Sequence, residues 1–373
     1  MRPTSENDAA QRRRYGDWLV LLEEHRTRWG GDLRRGQIFR QLARRTDARV
    51  GNGWSVKSAA RAMGVARFVL RAQPIPLGLR RPRLASSEQL RPDMLRLMRR
   101  AVDPAVVAIY DDPVAQTASL GMTMSPARTA LYSARRRDNV AAFRWHAVPT
   151  ASFADLIGLD PARTIVAGNG TDVRHIQVGA WPAEPSIGMV SGAAPGRGIE
   201  NLVAAARALR SEEPDLRLLL WLVATGPESE EYLAGLRASV RSDAWIHIES
   251  TDYQHIGAAL ARATVLAIPH PPATYLDVAL PVKLFDSMAA GRPLVVTPRT
   301  ETRALVERHG TGIVANGDSI DDLADALRAV LSDGSLARRL GATARQAAEA
   351  HFDWRVVGER VADVILEREH VPR

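Results

Sequence analysis

A lysine and an aspartate lie three residues apart in the segment 281–293. The apolar runs 264–268 and 294–297 on either side predict strands, so the segment itself is expected to form a loop and a short helix. On such a helix Lys283 and Asp286 share one face. A cation at a helix start suits a phosphate group, and a carboxylate one turn later suits two ribose hydroxyls. The alternative interpretation is an ordinary ion pair on a helix surface.

The glycine-rich segment 192–198 also follows an apolar run and precedes a helical pattern. Gly196 and Gly198 allow the backbone to approach a ligand closely, and Arg197 between them adds a permanent cation. Loops at the carboxyl ends of parallel strands meet at one edge of the sheet, so this loop and Lys283 are expected to lie together. Two cations and a helix start predict a site for a nucleotide diphosphate.

The first half of the chain offers less specific candidates. Gly30 and Gly31 lie between a strand pattern and a helical pattern, but their spacing is not the dinucleotide-binding G-x-G-x-x-G. Asp112 follows a short strand pattern and precedes Pro113, so its carboxylate is expected to contact a ligand, to cap a helix, or both. His146 lies within a strand pattern, where a packed histidine is commoner than a catalytic one.

The hydrophobic pattern predicts an α/β protein of two domains. Strands and helices alternate regularly after residue 185, which indicates a parallel sheet covered on both faces. Before it, a helix over 126–137 and a strand over 141–148 are predicted, and a proline-containing linker follows over 173–185. We expect a flexible leader (1–16), a first domain (17–178) that also holds a C-terminal helix (354–373), and a second domain (186–353).

Composition and charge restrict the possible functions. The chain has no cysteine and no apolar run of eighteen residues, which excludes disulfides and predicts no membrane span. Its polar N-terminus lacks a secretory pattern, so a cytoplasmic location is expected. Residues 1–150 hold 28 Lys and Arg against 13 Asp and Glu, and the remainder holds 22 against 29. The basic half suggests a peripheral contact with an anionic membrane, or simply an arginine-rich composition; no nucleic-acid motif accompanies it.

The motifs resemble those of GT-B glycosyltransferases of family 4, also called glycosyltransferase group 1. The phosphate loop of that family is similar to Gly192…Arg197-Gly198-(x)3-Leu202, and its donor signature is similar to Pro281-x-Lys283-x-x-Asp286-x-x-Ala289-x-Gly291-x-Pro293. Two further segments resemble the end of its first domain and its crossover back to that domain: Gly168-Asn169-Gly170-Thr171-Asp172 and Phe352-Asp353-Trp354 with the helix that follows.

The resemblance implies a GT-B fold, in which two Rossmann-like doubly wound domains face each other across a cleft and the C-terminal helix crosses back to the N-terminal domain. It implies a bacterial, retaining glycosyltransferase that uses a UDP- or GDP-sugar, an acceptor that is a small molecule, a glycan or a lipid-linked compound, and neither a metal nor another cofactor. The implied donor-binding residues are Arg197, Gly198, Lys283, Asp286, Val282, Asp277, Tyr253, Gly30 and Gly31, and the implied catalytic residues are Asp112 and His146.

The chain departs from the family pattern at three positions. Ala193 stands where many members have arginine, and Asp286 stands where glutamate is commoner. The family's other acid falls on Val278, with Asp277 beside it. These departures leave open a GT-B protein that binds a nucleotide or a partner without sugar transfer. A Rossmann-type dehydrogenase is a further alternative, and the missing G-x-G-x-x-G argues against it.

Overall fold

The computed structural model describes residues 19–22, 49–52, 82–85, 106–108 and 112–370. The chain divides into two compact units. The first consists of Met1–Val114, Met124–Gly168 and Trp354–Arg373, and the second of Ala115–Thr123 and Asn169–Asp353. Residues 169–185, which the sequence pattern assigned partly to the first domain and partly to a linker, therefore group with the second unit.

The first unit is built on a parallel sheet. Its strands are β1 (Leu19–Leu22), β2 (Arg49–Asn52), β3 (Pro82–Ala85), β4 (Val106–Ala108), β5 (Trp145–Val148) and β6 (Thr164–Val166). They lie in the order β2-β1-β3-β4-β5-β6, and every neighbouring pair is parallel. Of the described helices along this part of the chain, α2 (Pro126–Ala142) and α3 (Ala151–Leu156) belong to this unit, whereas most of α1 (Pro113–Ser119) groups with the second unit.

The boundary between α2 and β5 differs from the sequence-based expectation. A strand was predicted over 141–148, but α2 continues to Ala142 and β5 begins at Trp145. Ala141 and Ala142 are strong helix formers, and the short apolar run that contains them has no periodicity that separates helix from strand. Within β5 the consecutive residues 146–148 are all buried, as expected for a strand covered on both faces.

The second unit contains the regular alternation of strands and helices. Its strands are β7 (Ser186–Gly192), β8 (Arg217–Val223), β9 (Ile246–Glu249), β10 (Val265–Ile268), β11 (Leu294–Val296) and β12 (Gly312–Val314). Its main helices are α4 (Ile199–Arg210), α5 (Pro227–Ser239), α6 (Ile256–Ala261), α7 (Thr274–Val278), α8 (Val282–Ala289), α9 (Thr300–His309), α10 (Ile320–Leu331) and α11 (Gly334–Ala347).

The sheet of the second unit is buried on both faces because its strand residues alternate between two apolar clusters. On β8, Leu218 and Leu220 belong to one cluster with residues of α4 and α10, whereas Leu219 and Trp221 belong to the other with residues of α6 and α8. Successive strand residues point to opposite faces, so a run of apolar residues supplies both faces at once. The pattern confirms the two-sided parallel sheet expected from the sequence.

The strand order of the second unit creates a ligand-binding edge. The order is β12-β11-β10-β7-β8-β9, all parallel, so the chain reverses direction across the sheet between β7 and β10. Loops that leave the carboxyl ends of these two central strands diverge, and the crevice between them is where open α/β sheets bind ligands. The glycine loop follows β7, and the segment leading to α8 follows β10.

The last helix belongs to the first unit. Helix α12 (Trp354–His370) follows a short π-helical turn, Ala348–Phe352, and is grouped with the first sheet. The guanidinium of Arg368 lies 5.0 Å from the ring centre of Trp145 on β5. The expected return of the C-terminal helix to the N-terminal domain is thus confirmed. Among the described residues, none of the helices combines the length and the apolar character needed to cross a membrane.

Candidate functional site

The glycine loop is fixed against the loop after β10 by a backbone contact. Gly198 begins α4 with a φ of 75°, in the left-handed region. A Cβ atom at this position would lie 1.7 Å from the carbonyl oxygen of Pro269. Glycine is therefore required both for the backbone angle and for the space. The contact joins the loops that follow the two central strands and brings Arg197 to the crevice.

Lys283 reaches the same crevice from the first turn of α8. Pro281 precedes the helix as its N-cap, and the Lys283 Nζ donates a hydrogen bond to the Oγ of Ser191, 3.2 Å away near the carboxyl end of β7. Burial, with the charge of Arg197 as the second cause, lowers the pKa of Lys283 to about 7. Both causes act against the protonated form: the ammonium is removed from water, and a second positive charge lies near it.

Arg197 and Lys283 lie near each other at the crevice, here called the pocket, because the charge of Arg197 acts on Lys283. Burial lowers the pKa of Arg197, and interaction with Tyr275 partly opposes the effect. Each of the two cations is desolvated, and the charge of Arg197 also acts on Lys283. Like charges in a poorly solvated pocket repel each other, and an anion bound between them removes that repulsion. The arrangement has the electrostatic character of an anion-binding site.

Asp286 is buried one turn along α8, with 9% of its surface exposed. Its Oδ1 accepts a hydrogen bond of 2.8 Å from the Oγ1 of Thr171. Burial raises the pKa of Asp286 to about 7, although the Thr171 hydroxyl opposes the shift. A carboxyl group that is this dehydrated favours a ligand that donates hydrogen bonds, as a pair of ribose hydroxyls does.

Tyr253 lies beside Asp286 in the turn after β9. Burial, followed by the negative charges of Asp286 and Asp172, raises the pKa of Tyr253. The ring of His175 stacks on that of Tyr253 with centres 4.8 Å apart, and its Nε2 lies 2.6 Å from the Tyr253 carbonyl oxygen. A flat aromatic surface next to a carboxylate matches the adjacent base and ribose of a nucleotide.

The segment that enters the second unit is bonded directly to this site. The side-chain amide of Asn169 donates to the carbonyl oxygen of Leu280 at 2.5 Å, just before α8. Thr171, which holds Asp286, also pairs with Asp353 in a short parallel bridge and donates its N–H to Phe352. The residues at which the chain enters and leaves the second unit thus lie side by side.

Asp277 is paired with a third cation, Arg299. Its Oδ1 accepts a hydrogen bond of 3.4 Å from the buried Arg299, which also pairs with Asp318. The proposed sugar contact of Asp277 stays a prediction, as does the contact of a phosphate with the amide of Val282, the first residue of α8. The amide groups of a first helical turn have no partner within their own helix.

The two candidate catalytic residues lie in structural positions within the first unit. The Asp112 carboxylate accepts from the N–H of Val114 at 3.0 Å, which caps α1, and pairs with Arg136 at 3.0 Å. His146 is fully buried, its Nε2 lies 3.1 Å from the Val140 carbonyl oxygen, and burial lowers its pKa. From the sequence, helix capping for Asp112 and packing in a strand for His146 were alternatives to a functional role, and the structure shows both arrangements. Gly30 and Gly31 lie outside the described residues, and their roles stay predictions.

Sequence reasoning missed several residues at this edge, namely Asn169, Thr171, Ser191, His270 and Arg299. Two of them lie in the Asn-Gly-x-Asp segment that resembled a domain end. His270 lies two residues after the end of β10, and the rule that ligands bind at the carboxyl ends of central strands would have singled it out. A separate cavity of about 530 Å³ lies at the amino ends of β7 and β8, away from these groups.

Comparison with solved structures defines the class of fold. The sucrose-phosphate synthase of Thermosynechococcus elongatus superposes with a TM-score of 0.69, covering 96% of this chain and all of that one at 13% identity. The HepE protein of Anabaena, solved in complex with UDP, gives a TM-score of 0.70 over 94% of this chain and all of that one at 15% identity. Such low identities establish the fold alone, and this fold is GT-B.

Sequence comparison adds the family. Residues 184–333 match the family model described as glycosyl transferases group 1. A GDP-mannose-dependent monoacylated alpha-(1-6)-phosphatidylinositol monomannoside mannosyltransferase of Corynebacterium glutamicum is 28% identical over 51% of this chain and 49% of its own length. A glycogen synthase of Mycobacterium tuberculosis is 26% identical over 80% of this chain and 76% of its own.

Residues 184–333 carry the glycosyl transferases group 1 match and the fold is GT-B, as the sequence motifs predicted. The matched family region contains the glycine loop, both cations of the pocket and Asp286. The alignment with the mannosyltransferase spans about half of that relative's length. The family matches do not favour the alternative of a protein without sugar transfer.

Proposed function

We propose that this protein transfers a sugar from a nucleotide-diphosphate sugar to an acceptor hydroxyl, with retention of the anomeric configuration and without a metal ion. Arg197 and Lys283 bind the diphosphate, Asp286 binds the ribose hydroxyls and Tyr253 lies beside the base. The meeting of Arg197 and Lys283 in one desolvated pocket carries the proposal, because this pocket needs an anion to compensate its charge.

The chemistry expected of such a pocket is electrostatic. When the bond between the sugar and the diphosphate breaks, negative charge grows on the departing diphosphate. We expect Arg197, Lys283 and the start of α8 to stabilise that charge. In the first unit, the Asp112 carboxylate caps α1 and His146 is fully buried, and their contact with the sugar or the acceptor hydroxyl stays a prediction.

The comparisons suggest which donors and acceptors to test. The relatives include a GDP-mannose-dependent enzyme, and the HepE structure contains UDP. We therefore propose UDP or GDP as the nucleotide and a glycan or a lipid-linked compound as the acceptor. The excess of basic residues over 1–150 supports an acceptor at an anionic membrane surface on the cytoplasmic side.

A donor panel tests the proposal. UDP-glucose, UDP-N-acetylglucosamine and GDP-mannose are each incubated with glucan and with bacterial lipid extract, and released nucleoside diphosphate is measured. We expect one pairing to give turnover, and Lys283→Ala to lower it by about a hundredfold because a contact to the leaving group is lost. Lys283→Arg controls for the loss of positive charge. Full turnover by a folded Lys283→Ala protein would remove the proposed role of this residue.

A further inference from the structure

His270 is a buried residue that the proposed function does not yet use. It follows β10 at the point where the strand order reverses, and 2% of its surface is exposed. Within the described part of the chain, neither of its ring nitrogens has a hydrogen-bond partner. A buried imidazole without partners has given up its hydrogen bonds to water and gained none in return, so such positions call for an explanation.

The backbone on both sides of His270 is held firmly in place. The Oγ1 of Thr297 donates a hydrogen bond of 2.6 Å to the His270 carbonyl oxygen. The preceding residue, Pro269, contacts Gly198 so closely that no side chain fits between them. The position of the imidazole is therefore set by two neighbouring loops, one of which carries Arg197. Such rigidity is typical of a residue that must be in place before a ligand arrives.

Among the described residues, the charges that act on the pKa of His270 belong to three cations, of which Arg299 is itself paired with Asp277 and Asp318. Burial lowers the pKa of His270, and the charges of Lys283 in α8, Arg197 in the glycine loop and Arg299 before α9 lower it further. The imidazole is consequently neutral, with one nitrogen carrying a proton and the other a lone pair. A lone pair is favourable toward the surrounding cations, and the remaining N–H is available to an anion bound among them.

We propose that neutral His270 is a further ligand of the donor diphosphate and donates its single ring N–H to a phosphate oxygen. The inference rests on the proposed function, because it places His270 in the pocket of Lys283 and Arg197. It adds a donor without adding a positive charge to a pocket that already holds two cations. His270 is thus a binding residue for the nucleotide diphosphate and for the donor that contains it.

Three variants and a spectroscopic measurement test this assignment on the full chain. UDP, GDP and inorganic pyrophosphate serve as probes in calorimetric titrations. His270→Phe keeps an aromatic ring at this position but removes the N–H. We expect it to weaken binding about 10- to 100-fold, as for a lost hydrogen bond to a charged group. His270→Asn and His270→Gln each restore an N–H at one ring-nitrogen position, and one of the two should recover part of the affinity. His351→Asn, at an exposed histidine, is the matched control.

If His270 binds the diphosphate as a neutral imidazole, its contribution to the affinity should not change with pH. The ratio of the His270→Phe and wild-type dissociation constants is expected to be the same at pH 6.5 and pH 8.5. In ¹⁵N spectra of the wild-type imidazoles, His270, identified by its absence from His270→Asn, should remain neutral while its shifts move on saturation with the probe. The proposal would be overturned if His270→Phe bound the probes as tightly as the wild type, or if the ¹⁵N shifts of His270 did not change when a probe bound.

The design separates this proposal from the one it rests on. If the wild-type chain binds none of the three probes, the proposed donor site itself is wrong, and the assignment of His270 falls with it. If the wild type binds a probe and Lys283→Ala weakens binding while His270→Phe does not, only the assignment of His270 is wrong. The spectra of the wild type decide the question even if His270→Phe fails to fold.

Discussion

At the scale of single residues, the ammonium of Lys283 links nucleotide binding to pH. Burial and Arg197 lower its pKa to about 7 in the free protein, so above that pH the group is mostly neutral. A bound diphosphate favours the charged form, and binding must then take up a proton. We expect the dissociation constant for UDP or GDP to rise by up to about tenfold per pH unit above pH 7.

Titration calorimetry between pH 7 and pH 9 measures this dependence. Lys283→Arg is the control, because a guanidinium stays charged over the whole range and should give a flatter profile. A wild-type profile as flat as that of Lys283→Arg would contradict the assigned pKa shift.

Asp286 provides a second prediction, in which stability and binding move in opposite directions. Burial raises its pKa to about 7 in the folded protein, above the usual carboxyl value of 3.8. The stability that it contributes is therefore complete below pH 4 and is lost as the pH rises through 7. Asp286→Asn keeps an oxygen to accept from Thr171 and carries no charge, so we expect it to be more stable than the wild type at pH 8, by on the order of 4 kcal/mol, and to lose that advantage at pH 4.

Asp286→Asn should bind UDP more weakly than the wild type does. If Asp286 contacts the 2′-hydroxyl, the two proteins should bind 2′-deoxy-UDP about equally. GDP and its 2′-deoxy form are the corresponding pair for a guanine-specific site. Denaturant unfolding and calorimetry check the two halves of the prediction. Equal losses for the ribose and deoxyribose nucleotides would assign the carboxylate to another part of the ligand.

Residue types revealed the main groups of the site, but not the contacts that hold them. Lys283, Arg197 and Asp286 could be named from their spacing because each belongs to a short local motif. Thr171 could not, since it meets Asp286 across 115 residues of sequence. His270 was also missed, because a lone histidine after a strand has no local signature and its neighbours come from three separate loops.

At the scale of secondary-structure elements, the start of α4 depends on Gly198. Alanine at this position would require a left-handed backbone and would place its Cβ against the Pro269 carbonyl. We expect Gly198→Ala to shift the glycine loop away from β10, to lower the unfolding temperature and to weaken nucleotide binding by at least about tenfold, since Arg197 moves with the loop.

Gly235→Ala in α5 is the matched control for Gly198→Ala. A Cβ there meets no atom within 4 Å, and alanine favours a helix by up to about 1 kcal/mol over glycine. Thermal unfolding with and without UDP or GDP compares the two variants. If both variants had the same unfolding temperature and nucleotide affinity, the glycine loop would tolerate a side chain at position 198.

Strands and helices of the second unit were the best-predicted elements because their apolar runs are long and bounded by turns. The short α7 was not predicted, since its five residues carry no periodic pattern. The boundary between α2 and β5 was misplaced where two alanines extend the helix into an apolar run. Local sequence thus identifies elements that are buried on a regular face, and fails where helix and strand patterns have the same composition.

At the scale of the whole molecule, the described donor-site residues belong to one unit. Lys283, Arg197, Asp286, Tyr253 and His270 all lie within 169–353, and both large apolar clusters are made from residues of the same range. A chain segment that contains its own core is expected to fold independently. We can therefore predict how a fragment limited to residues 169–353 will fold and bind.

We expect the isolated segment 169–353 to unfold cooperatively and to bind UDP or GDP within about tenfold of the full chain's affinity, because the contacts of Asn169, Thr171 and Asp353 beside the site are retained. It should show no sugar transfer, since it lacks the first unit. Calorimetry on the fragment and on its Lys283→Ala variant makes the comparison. A folded fragment that does not bind the nucleotide, while the full chain does, would show that the first unit supplies an essential part of the donor site.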